Sequence, residues 1–296
     1  MWTARRTRLV WSGWLLLLAA TGCADPASRT GDGAVDPSRA CNGSELLCDR
    51  RFDQVAYATT HNAMSNEDDG WISPNQLHGI TRQLVDGVRG LMLDIHYEGD
   101  EVFLCHGFCA AGSLPLVDGL AELREFLDAQ PREVITIIFE SYVSAADTAA
   151  TFSEAGLDGR AHAQDPADPW PTLGELINAG TPLVVFTDHE GGTPDWYLPV
   201  WDHCFETHYH FESAAELSCD VNRGDPANAL FILNHFLTNP VAHPSFAEEL
   251  NVNPLLLERA RSCEAVYGHL PNFVTVDFYS IGALFAVVDA LNGVTP

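Results

Sequence analysis

From about residue 50 onward the chain alternates short apolar runs with stretches of helical spacing, and this alternation limits its possible folds more than any other feature. The runs are Val55 to Thr59, Leu91 to Ile95, Val102 to Cys105, Val134 to Phe139, Leu183 to Phe186, Leu230 to Leu233 and Phe273 to Val276. Their continuity predicts strands buried on both faces, as in a parallel sheet covered by helices. Between them Leu120, Leu123 and Leu127 recur at helical spacing, as do Ile281, Leu284, Phe285, Val288 and Leu291. No repeat or low-complexity linker divides the series. A single α/β domain over 46–296 is therefore expected, and strand followed by helix over this length favours a (β/α) barrel above a doubly wound sheet.

Each run stops almost at once on a residue able to do chemistry: His61 and Asn62, Asp94, His106, Glu140, Asp188, Asn234 and His235, and Asp277. A polar residue at a strand end often marks only the exit from the core. A barrel, however, gathers all its strand ends at one mouth, and catalytic groups in barrels come from that face. Two histidines on different strands suit general acid–base work near neutral pH, with Asp277 available to orient one of them. Asn62, Asp94 and Glu140 offer hard oxygen donors, which suit calcium better than zinc. The segment from His203 to His210 fits no structural zinc spacing.

Acidic residues number 41 against 15 basic ones, giving a net charge of −26, and every basic residue is arginine. Without lysine, Schiff-base chemistry and the lysine-bearing phosphate loop are excluded, and a nucleic acid partner is not expected. The chain begins with Arg5, Arg6 and Arg8, an apolar stretch from Trp14 to Ala20, and the small residues Thr21 and Gly22. This is the pattern of a signal peptide over 1–22, with an apolar core short of the roughly 20 residues of a spanning helix. Cys23 then resembles the lipidated cysteine of bacterial lipoproteins. The expected product is exported, either secreted or anchored to the membrane of a bacterial cell envelope through a lipid on Cys23. Residues 23–45 read as a flexible acidic tether. Export implies oxidising surroundings. Cys41 with Cys48 and Cys105 with Cys109 are candidate local bridges, while Cys204, Cys219 and Cys263 leave one thiol over with the pairing open.

Several stretches resemble the phosphatidylinositol-specific phospholipase C X-domain family, especially its bacterial PLC-like phosphodiesterases. They are ATTHNAM (58–64), DGVRGLMLDIHY (86–97), LCHG (104–107), FLDAQPREVITIIFES (126–141) and NFVTVDFYSIGALFAVVDALN (272–292). The resemblance implies a distorted TIM barrel and a phosphoric diester hydrolase acting on a phospholipid or small phosphodiester. His61 and His106 would be its catalytic pair: His106 protonates the leaving oxygen, and His61, oriented by Asp277, serves the attacking hydroxyl, giving a cyclic phosphate. Asn62 matches the calcium-dependent branch, so Ca2+ would be held by Asn62, Asp94 and Glu140.

Two departures shape the substrate expectation. The calcium branch carries Glu-x-Asp on its second strand, where this chain reads Met92-Leu93-Asp94. The strand that supplies basic residues to head-group phosphates reads LVVFTDHE here, placing Asp188 and His189 in that position. With His235 these are the expected head-group contacts, and Arg223 and Arg89 remain for a phosphate. A polyphosphorylated inositol is not expected. So acidic a body should also avoid anionic bilayers, which favours soluble or zwitterionic diesters; a monomer is expected. The competing reading, motivated by Met92 and the missing basic subsite, is a catalytically inactive barrel that binds a sugar phosphate or an envelope polymer.

Overall fold

The computed structural model describes residues 39–294. The signal peptide, Cys23 and the start of the tether lie outside the described residues. The strands are β1 (Tyr57–Thr60), β2 (Gly90–Glu98), β3 (Glu101–Leu104), β4 (Leu114–Pro115), β5 (Ile135–Ser141), β6 (Leu183–Thr187), β7 (Tyr197–Pro199), β8 (Cys204–Thr207), β9 (Val221–Gly224), β10 (Leu230–Asn234) and β11 (Phe273–Val276). The helices are α1 (Ile80–Asp86), α2 (Leu116–Ala129), α3 (Ala145–Ala155), α4 (Leu173–Ala179), α5 (Val200–His203), α6 (Pro244–Leu250), α7 (Leu255–Tyr267) and α8 (Leu284–Asn292). All seven expected strands are present.

The strands form one curled sheet in the order β7-β6-β5-β2-β1-β11-β10-β8-β9. Every neighbouring pair from β7 to β8 along this path is parallel, and β9 closes the edge antiparallel to β8. Eight parallel strands in this order make a distorted TIM barrel, open between β7 and β8, where the one-turn helix α5 joins strands that share no ladder among the described residues. The strands absent from the sequence reading, β4, β7, β8 and β9, are two to four residues long. Pro115 and Pro199 interrupt two of them, and Glu206 sits within β8, so no apolar run marks them.

Side-chain alternation divides the core in two. Leu91, Leu93 and Ile95 on β2, with Ile135, Ile137 and Phe139 on β5, face the helix layer and pack with Leu84, Leu120, Leu123, Leu127 and Val288. The intervening residues point into the barrel, where Tyr57, Ile138, Val184, Phe186, Leu198, Cys204, Leu230, Ile232 and Phe273 form the second cluster. The free thiol of Cys204 is buried in this inner core. The helices end in local devices, such as the Thr172–Glu175 capping box that opens α4 and the left-handed Gly180 that closes it.

One boundary differs from expectation. Residues 40–45 belong to the domain and not to a tether: Asn42 exchanges hydrogen bonds with Val134, donating from Nδ2 at 3.2 Å and accepting at Oδ1 at 2.7 Å. The Cys41–Cys48 bridge fixes this turn, and buried Cys41, Leu47 and Phe52 join the inner cluster as the floor of the barrel. The acidic, polar composition read as flexible conceals a short apolar plug. The other bridges are Cys105–Cys109 and Cys219–Cys263. At the far end of the chain Asn292 pairs with Ala56 through both its amide atoms, at 2.8 and 2.9 Å, tying α8 to the start of β1. No helix among the described residues is long and apolar enough to cross a membrane.

Gly90 marks a close approach of β2 to β1, because a Cβ there would fall within 2.9 Å of the Thr59 methyl. Gly90→Ala should therefore lower the unfolding free energy by about 1–3 kcal/mol, the usual cost of overpacking. Urea denaturation of the two proteins measures it, and an unchanged midpoint would show that β1 and β2 can separate freely.

Candidate active site

Because β1 and β11 run in register, with Thr60 beside Val276, the next residues, His61 and Asp277, emerge side by side at the mouth. The His61 N–H donates to the carbonyl of Val276 at 3.1 Å, and Asp277 Oδ1 lies 2.9 Å from His61 Nδ1. A carboxylate can only accept, so Nδ1 carries the proton and Nε2 is left as the basic atom. The same Asp277 oxygen accepts from Asn75 Nδ2 at 3.1 Å, and Asn75 Oδ1 in turn accepts from Asn62 Nδ2 at 3.3 Å. Phe236 stacks on the imidazole at 4.0 Å and 8°. Gln76 donates to the carbonyls of His61 and Val276 at 2.8 and 3.2 Å, clamping the two strand ends together. His61 Nε2 makes no hydrogen bond among the described residues.

The opposite wall is acidic. Asp94 and Glu140 are partners in the β2–β5 ladder, and Asp188 follows the Phe139–Thr187 pair of the β5–β6 ladder, so three adjacent strands each carry a carboxylate at the same level of the barrel. Tyr142 donates its hydroxyl to Glu140 Oε1, and the Ser141 N–H donates to Asp188 Oδ1 at 2.9 Å. The Asp94 carboxylate is 6% exposed and receives no hydrogen bond among the described residues. Burial, reinforced by the charges of Glu140 and Asp188, holds it well above the usual carboxylate range. Asp188 is raised as well, by burial first and by Glu140, against the Ser141 N–H and Arg223.

His106 stands exposed just beyond β3. Its proton affinity is lowered, by partial desolvation first and then by the nearby charge of His61, and it also feels Glu140 and Asp277. The residue before it ties this loop to the acidic wall, the Cys105 N–H donating to the Asp94 carbonyl at 3.2 Å. Between the walls lies a cleft of about 560 Å³, open mouth included, lined by His61, Asn62, Met92, Asp94, Glu140 and Asp188 on one side. Its far side is formed by Trp201, Glu206, Tyr209, Arg223 and Asn234. There the Arg223 guanidinium lies between the rings of Trp201 and Tyr209, at 4.4 and 4.9 Å, and its Nε donates to Glu206. Asn222 and Asn234 complete the shell of buried Glu206, each donating at 3.0 Å.

The structure therefore brings together His61, Asn62, Asp94, His106, Glu140, Asp188, Arg223 and Asp277. It separates three other expected contacts from them. Arg89 precedes β2, at the opposite end of the barrel, where it donates to Glu133 at 2.7 Å and to the carbonyls of Leu84 and Val88. His235 follows Asn234, and since neighbouring strand residues face opposite ways, Asn234 enters the cleft while His235 turns outward into the helix layer. His189 is exposed and lines an adjoining depression with Tyr97, Tyr142 and Glu190. Sequence reading missed Asn75, Gln76, Glu206 and Phe236. Asn75 and Gln76 come from a loop with no pattern of its own, whereas the alternation that buries Phe205 could have aimed Glu206 inward.

His235 has a different task. Its Nε2 donates to the carbonyl of Leu250 at 3.0 Å, and its Nδ1 accepts from Arg259 at 3.0 Å. Burial and the positive Arg259 push its pKa down to about 3 from the usual 6.5. The unfolded chain thus binds a proton that the folded chain refuses, so this contribution to stability is complete above pH 6.5 and is lost as pH falls toward 3. Between pH 7 and 5 the wild-type unfolding free energy should drop by about 2 kcal/mol more than that of His235→Gln, at roughly 1.4 kcal/mol per pH unit below 6.5. Urea denaturation at the two pH values measures the difference, and parallel slopes would refute the assignment.

The family model described as PI-PLC X 1 matches residues 47–292. A PI-PLC X domain-containing protein of Arabidopsis thaliana is 29% identical, over 93% of this chain and 68% of its own length. A PI-PLC X domain-containing protein of Arthroderma benhamiae is 26% identical, over 96% of this chain and 97% of its own length. A second protein of that fungus, called an uncharacterized secreted protein, is 28% identical over 87% of this chain and 65% of itself. Among solved structures, the phosphatidylinositol-specific phospholipase C of Listeria monocytogenes superposes with a TM-score of 0.55 at 14% identity, covering 84% of this chain and 96% of the enzyme. That of Staphylococcus aureus gives 0.53 at 13%, covering 85% and 96%. At such low identity the two structures speak for the barrel alone. The family match, spanning the barrel from its floor to α8 and containing both histidines and the acidic wall, shows that this chain belongs to the PI-PLC X family.

Proposed function

We propose that the chain is an exported phosphoric diester hydrolase of the phospholipase C type, working by acid–base catalysis between His61 and His106. The observation that carries this reading is the pairing of His61 Nδ1 with Asp277 at 2.9 Å, which leaves Nε2 as a base on the cleft. A hydroxyl beside the phosphodiester attacks phosphorus. His61 Nε2 takes its proton, and Asp277 stabilises the imidazolium that results. His106 delivers a proton to the departing oxygen as its bond to phosphorus breaks, and the lowered proton affinity of His106 makes it a stronger acid for that step. The products are a cyclic phosphate and a free alcohol. Phe236 and the amides of Asn75 and Gln76 hold the base in place while this happens.

The donor set suits a hard divalent cation. Asn62 offers an amide oxygen, and Asp94 is a buried carboxylate that no described residue satisfies, next to Glu140. No group of three His, Cys, Asp or Glu side chains among the described residues forms a metal cage, and the Asn62 amide oxygen would add a donor beside the carboxylates. A calcium ion held by Asn62, Asp94 and Glu140 would supply charge stabilisation for the phosphoryl oxygens.

The head-group side carries no free positive charge, because Arg223 is neutralised by Glu206. Asp188 adds a negative one. This supports an uncharged or zwitterionic head group on a lipid or a soluble diester, with Arg223, Glu206 and Asn234 as its polar contacts. Three disulfides among the described residues and a relative named as secreted support an extracellular location, and an anchor through Cys23 would hold the enzyme at a membrane.

Full-length protein assayed on phosphatidylinositol, phosphatidylcholine and glycerophosphodiesters, with calcium and then with chelator, tests the proposal. His61→Ala and His106→Ala should each lower kcat/KM by about 10²- to 10⁴-fold on whichever diester is cleaved. Chelation should lower it too. Because His106 must be protonated, the alkaline limb of the kcat/KM profile should fall below pH about 6.5, the ordinary histidine value. Full activity in either variant would eliminate the mechanism. Saturable binding of a sugar phosphate without turnover of any diester would instead establish an inactive barrel.

A further inference from the structure

The two histidines are held in different ways. His61 is fixed by side chains, through Asp277, Asn75 and the face of Phe236. The imidazole of His106 makes no hydrogen bond among the described residues, and His106, Gly107 and Phe108 are all exposed, with Phe108 reaching 72%. Neither packing nor hydrogen bonding of its own side chain anchors this loop. The chain on either side is anchored firmly. Cys105 is completely buried at the end of β3, and its N–H donates to the carbonyl of Asp94 at 3.2 Å. After Cys109 a short 3-10 turn is bound to the neighbouring loop through Ile72 N–H and the Ala111 carbonyl at 2.8 Å. Gly107 takes the left-handed conformation, with φ of 66°, that lets the chain reverse between these points.

We propose that the Cys105–Cys109 disulfide is the positioning element of His106: it closes a covalent ring around the three exposed residues and does for this histidine what Asp277 does for His61. The inference rests on the reading of His106 as the general acid. Of the bridges among the described residues, Cys41–Cys48 lies at the barrel floor and Cys219–Cys263 ties the segment before β9 to α7, so only this one borders the mouth. An acid free to wander keeps its proton but loses its aim. The loss should appear in the proton-transfer step and spare substrate binding.

The test uses the full chain and two kinds of diester that share a head group, one with a simple alkyl leaving group and one releasing p-nitrophenol, which departs without protonation. Cys105→Ser/Cys109→Ser should reduce kcat about 10- to 100-fold on the alkyl diester, with KM changed little, and less than about 3-fold on the p-nitrophenyl diester. Cys41→Ser/Cys48→Ser, the control, should show no such dependence on the leaving group. Equal losses on both diesters, or no loss, would overturn the proposal. His106→Ala measured in parallel separates the two levels. If it lacks the leaving-group dependence, the assignment of the acid fails, and if it alone shows the dependence, only the role of the bridge fails. Should the serine variant not fold, carbon relaxation of the His106 ring in the wild type decides: a ring as rigid as that of His61 supports the proposal, and a mobile ring refutes it.

Discussion

The site depends above all on the parallel register of adjacent strands. Thr60 beside Val276 sets His61 beside Asp277, and Asp94 beside Glu140 sets two carboxylates on one wall. A slip of one residue in either ladder would turn these side chains out of the cleft, since neighbouring residues of a strand face opposite ways. The register is itself held by apolar contacts below the mouth. Leu91, Leu93, Ile137 and Phe139 face the helices, while Ile138, Phe186 and Ile232 fill the barrel. Both sets would be misplaced by the same slip, so the hydrophobic effect fixes the geometry of the polar groups above it.

The mouth sorts its charges by partner. One wall collects carboxylates with too few donors, and Asp94 is its extreme case, buried and without a hydrogen bond. The other wall is balanced: Glu206 receives Arg223, Asn222 and Asn234, and Arg223 is stacked between two aromatic rings. A cation would relieve the first wall, and a ligand without net charge would leave the second undisturbed. The phosphate of a diester with a neutral or zwitterionic head group meets both conditions when it bridges them. Arg89 and Arg259, the other arginines close to the core, are spent elsewhere, on Glu133 below the barrel and on His235 in the helix layer.

Much of this was legible in the chain. Continuous apolar runs gave away most of the parallel strands, and the polar residue closing each run marked the mouth, because a strand buried on both faces tolerates such a residue mainly where it nears the solvent. What escaped were features without a local signature. Asn75 and Gln76 lie on a loop whose sequence resembles any polar loop, yet they connect Asn62, His61 and Asp277. Short β8 was hidden by Glu206, and residues 40–45 looked like tether because their anchor, Val134, is some 90 positions away. Arg89 and His235 looked functional because an arginine or histidine beside a strand is ambiguous until its end and face are known.

The α/β barrel class, the polar strand ends and the absence of lysine chemistry follow from periodicity and residue type alone, whereas the choice of His61 and His106 among the histidines came from the family resemblance. The Cys219–Cys263 bridge and the lone Cys204 required the fold, because three cysteines leave the pairing open and only proximity chooses among them. Tertiary structure also decided which polar groups meet. Hydrogen bonds and like-charge repulsion act over a few ångströms, and residues such as His61 and Asp277 come within that range only when distant strands are laid side by side.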